Sequence, residues 1–215
     1  HQLSNTVKAL ASSYRFQSFT EYKALLSIYN VQVEEVKGEI NGKPYNGIVY
    51  SAINDKGEKQ GNPFKSSSLG KSVGYEAIQR RIQKSEKEIQ DKNLKERTRR
   101  TVGAVMKSAR SREQLITELK AKGIDVLFRQ NDTGSIYGVT FIDHENRTVL
   151  NGSRLGKDFS ANVFNDLFSG SRTLTGNSKQ ETQEQKPEYN PTGHLENTGK
   201  AIAGLFSLLS GGDDT

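Results

Sequence analysis

The sequence predicts an α+β protein built from two duplicated small lobes, each ordered helix, three strands, helix. A long basic helical segment joins them and a disordered C-terminal tail follows. Three repeated phrases carry that reading. "SFTEYKALLSIYNVQV" (18–33) shares its pattern with "SREQLITELKAKGIDV" (111–126), 93 residues later. "NGIVYSAIND" (46–55) is answered by "YGVTFIDHEN" (137–146) at an offset of 91. "SSLGKSVGYEAI" (67–78) returns as "SRLGKDFSANVF" (153–164) at an offset of 86. The falling offset places the length differences in turns, where insertions are tolerated.

Residues 1–17 open with "NTVKALASSY" (5–14), the pattern of a short amphipathic helix. The first lobe spans 18–82. Ser18 is a good N-cap, and Glu21 three residues on completes a capping box; Ser111 and Gln114 repeat the arrangement. Tyr22 and Leu26 lie one turn apart on one helical face, as Leu115 and Leu119 do. Asn30 and Gly123 occupy the position after each helix where a left-handed conformation is wanted. In the strands, Ile48 and Tyr50 alternate with other residues, as Val139 and Phe141 do, which buries one face at period two. Turns at Asp55-Lys56-Gly57 and His144-Glu145-Asn146 lead to a third strand, then Ser-x-Leu-Gly-Lys and a final helix.

Between the lobes, residues 83–110 form the basic helical linker. Residues 75–110 contain no proline, and their apolar sets (Ile78, Ile82, Ile89; Val102, Val105, Met106) predict one long helix or a pair broken near Asp91–Leu94. The second lobe spans 111–168. Residues 169–215 begin as a polar, aliphatic-poor stretch, expected to be disordered, and finish with a short apolar patch, "AIAGLFSLL" (201–209).

The chain carries 31 lysines and arginines against 25 acids, a net charge of +6. Most of that excess is local. Gln79–Arg100 holds nine basic residues and four acidic ones. A concentrated basic segment is the electrostatic footprint of nucleic-acid binding, and equally the pattern of a solvated helix face. The Gly-Lys junctions also admit two readings. A lysine beside a helix N-terminus opposes the macrodipole unless an anion sits between them; alternatively Gly70 and Gly156 supply a tight turn that the lysines keep wet. Aromatics interleave with cations at Tyr14, Arg15, Phe16, Phe19, Tyr22, Tyr45, Phe64 and Lys65, a pattern suited to base stacking, although Tyr22 stands at a core position.

Other chemistry is poorly represented. Gly70-Lys71-Ser72 is not a phosphate loop, because Lys65 stands where that motif needs glycine. There is no cysteine, which removes thiolate sites and disulfides and fits a reducing cytoplasm. His1, His144 and His194 are scattered, and Asp143-His144-Glu145 reads as a polar turn rather than a metal site. No leader or membrane-spanning stretch is visible, so the expected location is cytoplasmic with no membrane partner. A start at His1 and an end on a Gly/Asp run read as a piece of a longer protein.

Three longer phrases point to a family: "YRFQSFTEYKALLSIYNVQVEEVKGEINGKPYNGIVYSA", "NPFKSSSLGKSVGYEAIQRR" and "FIDHENRTVLNGSRLGKDFSANVFNDLF". Together they resemble the region that follows the catalytic domain in relaxases, the mobilisation nucleases of bacterial mobilisable and conjugative elements. The resemblance implies an upstream domain that nicks one strand at the origin of transfer, using a tyrosine and a divalent metal held by a His-rich motif with His-x-His. None of that motif is present in this chain, so no catalytic residue carries over and no cofactor is expected here.

The resulting expectation is a non-catalytic DNA-binding accessory region, with Lys71, Arg154 and Lys157 on phosphate at the lobe junctions and Arg80, Arg81, Arg97, Arg99 and Arg100 on phosphate along the linking helix. Its partners would be origin DNA and other relaxosome proteins. The competing expectation is a protein-interaction scaffold in the relaxosome with no direct DNA contact, favoured by the apolar patch and polar tail. Oligomeric state is not legible in the sequence.

Overall fold

Ser18 and Ser111 each accept a hydrogen bond from the backbone N–H three residues on, at 3.2 and 3.1 Å, and these two caps start equivalent helices in the two halves of the fold. The structure, a computed structural model, describes residues 2–170; the apolar patch and nearly all of the expected tail lie outside them. In the first half, α1 (Gln2–Ser13) and α2 (Phe19–Ser27) precede β1 (Val31–Ile40), β2 (Lys43–Ile53) and β3 (Lys59–Lys65). Then come α3 (Ser66–Leu69), a 3-10 turn at Lys71–Val73 and α4 (Tyr75–Asp91). The second half runs in the same order. It comprises α5 (Lys95–Ser108), α6 (Arg112–Ala121), β4 (Ile124–Gln130), β5 (Ile136–Asp143), β6 (Thr148–Asn151), α7 (Gly152–Leu155), a 3-10 turn at Lys157–Phe159 and α8 (Ala161–Phe168). The described residues are thus mixed α+β, with two three-stranded antiparallel sheets ordered β1-β2-β3 and β4-β5-β6.

Strand registers agree between the halves. Val33 pairs with Tyr50 as Val126 pairs with Phe141, and Tyr50 with Phe64 as Phe141 pairs with Leu150. The extra residues before Phe64 are taken up partly by a bulge between Tyr50 and Ala52 and partly by a longer turn between β2 and β3. Tyr22 and Tyr50 are fully buried packing residues. Tyr50 donates to the Val73 carbonyl at 2.7 Å and lies 3.0 Å from the Tyr22 hydroxyl, and burial pushes the Tyr50 phenol up to about 12.

Two details differ from the sequence reading. The segment 83–110 is not a free-standing linker. The helix pair does break near Asp91–Leu94, as one of the two expectations had it: a Schellman end, with Asn93 at φ 48° and Leu94 N–H bonded to the Ile89 carbonyl, separates α4 from α5. Val102, Val105, Met106 and Ala109 of the α5 segment then enter the second core. Further, Ser-x-Leu-Gly-Lys does not lead straight into a helix. Gly70 and Gly156 (φ 134° and 142°) close a four-residue helical turn, and a 3-10 turn intervenes before α4 and α8. Lys71 and Lys157 therefore belong to 3-10 turns, and the macrodipole argument for an anion beside them loses its geometry.

The halves meet through the outer face of the second sheet. Ile142 and Val149 join the first half's cluster with Val7, Leu10, Leu25 and Leu26. Arg15 runs parallel to β6, its N–H bonded to the Arg147 carbonyl and its carbonyl to the Val149 N–H, each at 2.8 Å. Glu21, with no exposed surface, fastens the seam. Its carboxylate accepts from Gln17 N–H at 2.6 Å and Asn151 N–H at 2.9 Å, and pairs with Arg154 Nε at 3.1 Å. Burial raises the Glu21 pKa, while the two N–H groups and Arg154 pull it back.

Glu21→Gln keeps the shape but turns one oxygen into a donor facing a backbone N–H. The expected loss is about 1–3 kcal/mol of unfolding free energy, read by urea denaturation. Glu118→Gln, on the solvent side of α6, is expected to stay within about 0.5 kcal/mol of wild type.

Candidate nucleic-acid interface

Arginine and lysine mark a phosphate surface only where their charge is not already spent inside the protein. By that criterion the eight cations singled out from the sequence divide. Arg81 caps the end of α1, donating from Nε and Nη2 to the Tyr14 carbonyl at 3.1 and 2.7 Å and from Nη2 to the Ser12 carbonyl at 3.0 Å. Burial lowers its pKa, and Glu88 nearby offsets part of that. Arg97 reaches Asp143 at 2.7 Å, Glu145, and the Lys122 carbonyl at 3.2 Å. Arg154 is held by Glu21 and, at 3.3 Å, by the Gln17 carbonyl. These three stitch elements together.

The other five point outward. Lys71, Arg80, Arg99 and Lys157 are exposed and have no ion-pair partner among the described residues; Arg100 has only an i,i+4 contact with Glu96 at 3.6 Å. Arg80 shares one face of α4 with exposed Lys84 and Lys87, at spacings of four and three. That stripe rises about 10 Å along the helix. The weak Lys84–Glu88 contact at 3.7 Å leaves Lys84 in solvent, because Glu88 is engaged by Arg15, whose hydrogen bond holds its carboxyl below the usual range. On α5, Lys95, Arg99, Arg100 and Lys107 are exposed.

Sequence reasoning missed the environment of His144. Its Nδ1 lies 2.6 Å from the Tyr14 hydroxyl and its Nε2 2.7 Å from Asp125. With Nε2–H donating to Asp125, Nδ1 accepts from Tyr14. Burial raises the Tyr14 pKa, the reverse of what activates a phenol for attack, so the row of three works as a second tie between the halves. The sequence carries no local signal for it, since the three residues lie on three separate elements.

Three clefts carry cations, one of them, of about 360 Å³, bordered by Lys95, Arg154 and Glu86. Another, of about 770 Å³, is bordered by Arg97, Arg100, Lys122 and Glu145 between α5 and the end of α6. Its Arg97 and Glu145 already neutralise each other. A smaller cleft of about 330 Å³ lies against β5, with Arg129 and Tyr137 in its walls. Among the described residues no cluster of three metal-ligating side chains is gathered, and no helix is long and apolar enough to cross a membrane. Set against known proteins, the chain matches no family, no curated protein and no solved structure.

The division of the cations predicts opposite outcomes for neighbours on α5. Arg97→Ala leaves fully buried Asp143 with Thr98 and two backbone N–H groups but no cation, a loss of about 1–3 kcal/mol. Arg99→Ala is expected to change stability by less than about 0.5 kcal/mol. Thermal or urea unfolding of both variants distinguishes them.

Proposed function

We propose that this chain is a non-catalytic DNA-binding accessory region of a relaxase, holding origin-of-transfer DNA for an upstream nuclease domain that carries the tyrosine and divalent metal. The observation that carries the reading is the set of exposed cations that have no ion partner among the described residues or only a long i,i+4 contact: the Arg80–Lys84–Lys87 stripe, Lys71, Lys157, and Arg99 with Arg100. Such residues are screened mainly by solvent, and placing them on phosphates releases the cations condensed on the nucleic acid, the main source of sequence-independent affinity. Arg81, Arg97 and Arg154 drop out of the contact set, since their donors are occupied. The matching element order and registers of the halves support descent from one duplicated unit, with the resemblance to the relaxase region as the second support for the whole reading.

Phosphate contacts of this kind position a strand without reading its bases. The reading therefore expects binding to many sequences, steeply weakened by salt. Reversing Arg80, Lys84 and Lys87 to glutamate should flatten the slope of log K against log salt by about 0.7–0.9 for each phosphate that is no longer neutralised. Fluorescence anisotropy with labelled oligonucleotides between about 50 and 200 mM salt measures it. An unchanged slope removes the stripe. Capture of relaxosome proteins with no oligonucleotide affinity at low salt would favour the scaffold instead.

A further inference from the structure

The cleft against β5 differs from the other described clefts in one respect: no carboxylate lines it. It forms where the second sheet stops short. β6 ends at Asn151, opposite Thr140, so Tyr137–Val139 of β5 have no strand on that side. The chain turns away through α7 and returns as α8, which is docked by Asn165, its side chain bonded to the Ile136 N–H at 2.9 Å and carbonyl at 2.8 Å. Between β5 and this corner lies the space, about 330 Å³ and within the range that encloses a small ligand.

Arg129 supplies the charge. Its guanidinium lies across Gly138, its cross-strand neighbour, where any side chain would collide with it. Nη1 donates to Thr140 Oγ1 at 2.8 Å, and Thr140, fully buried, donates to Asn151 Oδ1 at 2.7 Å. Both of those partners are neutral. Among the described residues no carboxylate meets Arg129, and Thr140 is its one hydrogen-bonding partner. The result is a half-buried, oriented cation with a fork of unused donors, which is the requirement for gripping a phosphate. Ser153 and Ser160 add hydroxyls to the wall.

Tyr137 supplies a surface. It is 66% exposed, the most exposed of the large hydrophobic residues described, and no other aromatic ring packs on it among the described residues. An aromatic ring open to solvent beside an unneutralised arginine is the pairing that binds one unit of a single strand: base on ring, phosphate on guanidinium. The first half lacks it, having Val36 at the position of Arg129 and Asn46 at that of Tyr137.

We propose that this cleft holds one nucleotide of a single nucleic-acid strand, with its phosphate on Arg129 and its base stacked on Tyr137. The proposal rests on the DNA-binding reading and narrows it, because a base paired inside a duplex cannot turn its face to Tyr137.

The test uses the full chain with labelled oligo-dT of 15 nucleotides, a duplex of the same length, and dTMP. Tyr137→Ala and Arg129→Leu should each weaken single-strand binding roughly tenfold and leave duplex binding unchanged. Tyr137→Phe should retain single-strand binding, and Gly138→Ala, which displaces the guanidinium, should lose it as Arg129→Leu does. Circular dichroism melting checks that each variant folds; Tyr137→Ala, at an exposed position, is the variant that keeps the test valid if the others unfold. If wild type binds both oligonucleotides and Tyr137→Ala binds the single strand equally well, the cleft is refuted while the DNA reading stands. No oligonucleotide binding by wild type at low salt overturns both. Binding of dTMP without oligo-dT would overturn the strand assignment.

Discussion

The buried carboxylate of Glu21 is the constraint on which the arrangement of this molecule depends. A charge taken wholly out of water is tolerated only where donors surround it, and here the donors come from two places. Gln17 N–H belongs to the first half's own helix cap; Asn151 N–H and Arg154 belong to the second half's strand-to-helix corner. Separating the halves would leave Glu21 with one donor and expose Ile142 and Val149 on the second sheet. The same seam takes Arg15 onto the edge of β6 and Tyr14 onto His144. Arg154, at the seam, is consequently structural. That is why Arg154 and Lys157, three residues apart, have different fates.

The seam forms once and does not propagate. On α2 the residues that meet the second half include Glu21 and Leu25, both fully buried; their counterparts on α6 are Gln114 and Glu118, which bond to each other at 2.7 Å in solvent. The face of the first sheet that corresponds to Ile142, Thr140 and Leu127 carries Ser51, Val49 and Glu34. Its edge strand, "KQGNPFK", holds a proline, a positive-φ glycine and lysines, features that discourage pairing with another strand. Matching units with unmatched outer surfaces give a closed pair rather than the start of a solenoid.

Much of the fold was legible because its signals are local. Ser18 with Glu21 and Ser111 with Gln114 are capping boxes that work as their spacing says, and in both pairs the third-position side chain reaches back to a backbone N–H. Ile48, Tyr50, Val139 and Phe141 are buried as expected. Their neighbours Val49, Ser51, Thr140 and Ile142 are buried too, so both faces of β2 and β5 are covered there and the expected one-faced burial does not hold. The fate of individual cations was not legible. Arg97 and Arg99 are equivalent in any pattern, yet Arg97 faces Asp143 across 46 residues of chain, and only the packed structure brings them together. Arg129 and Tyr137 were passed over for the opposite reason. Each looks ordinary in its strand, and the signal lies in comparing the halves, where Arg129 replaces Val36 at a position whose neighbours repeat.

The twice-used phrase Ser-x-Leu-Gly-Lys shows how a structural demand and a surface opportunity coexist in few residues. Leu69 and Leu155 are buried, as are Val73 and Phe159 four residues on. To bury both members of each pair, the chain must reverse sharply between them. Gly70 and Gly156 make that reversal in a backbone region closed to other residues. Packing therefore accounts for the leucine, the glycine and the apolar residue in both copies without any ligand. It does not account for the lysine, which is exposed each time, has no ion partner among the described residues, and touches neither core. Any role in binding phosphate is thus an addition to a corner that would fold without it, and it can be removed without disturbing the corner. Arg154 shows the other side of the same rule: two residues before the glycine, at the seam, a cation was drawn into the scaffold and its charge is no longer available to a partner.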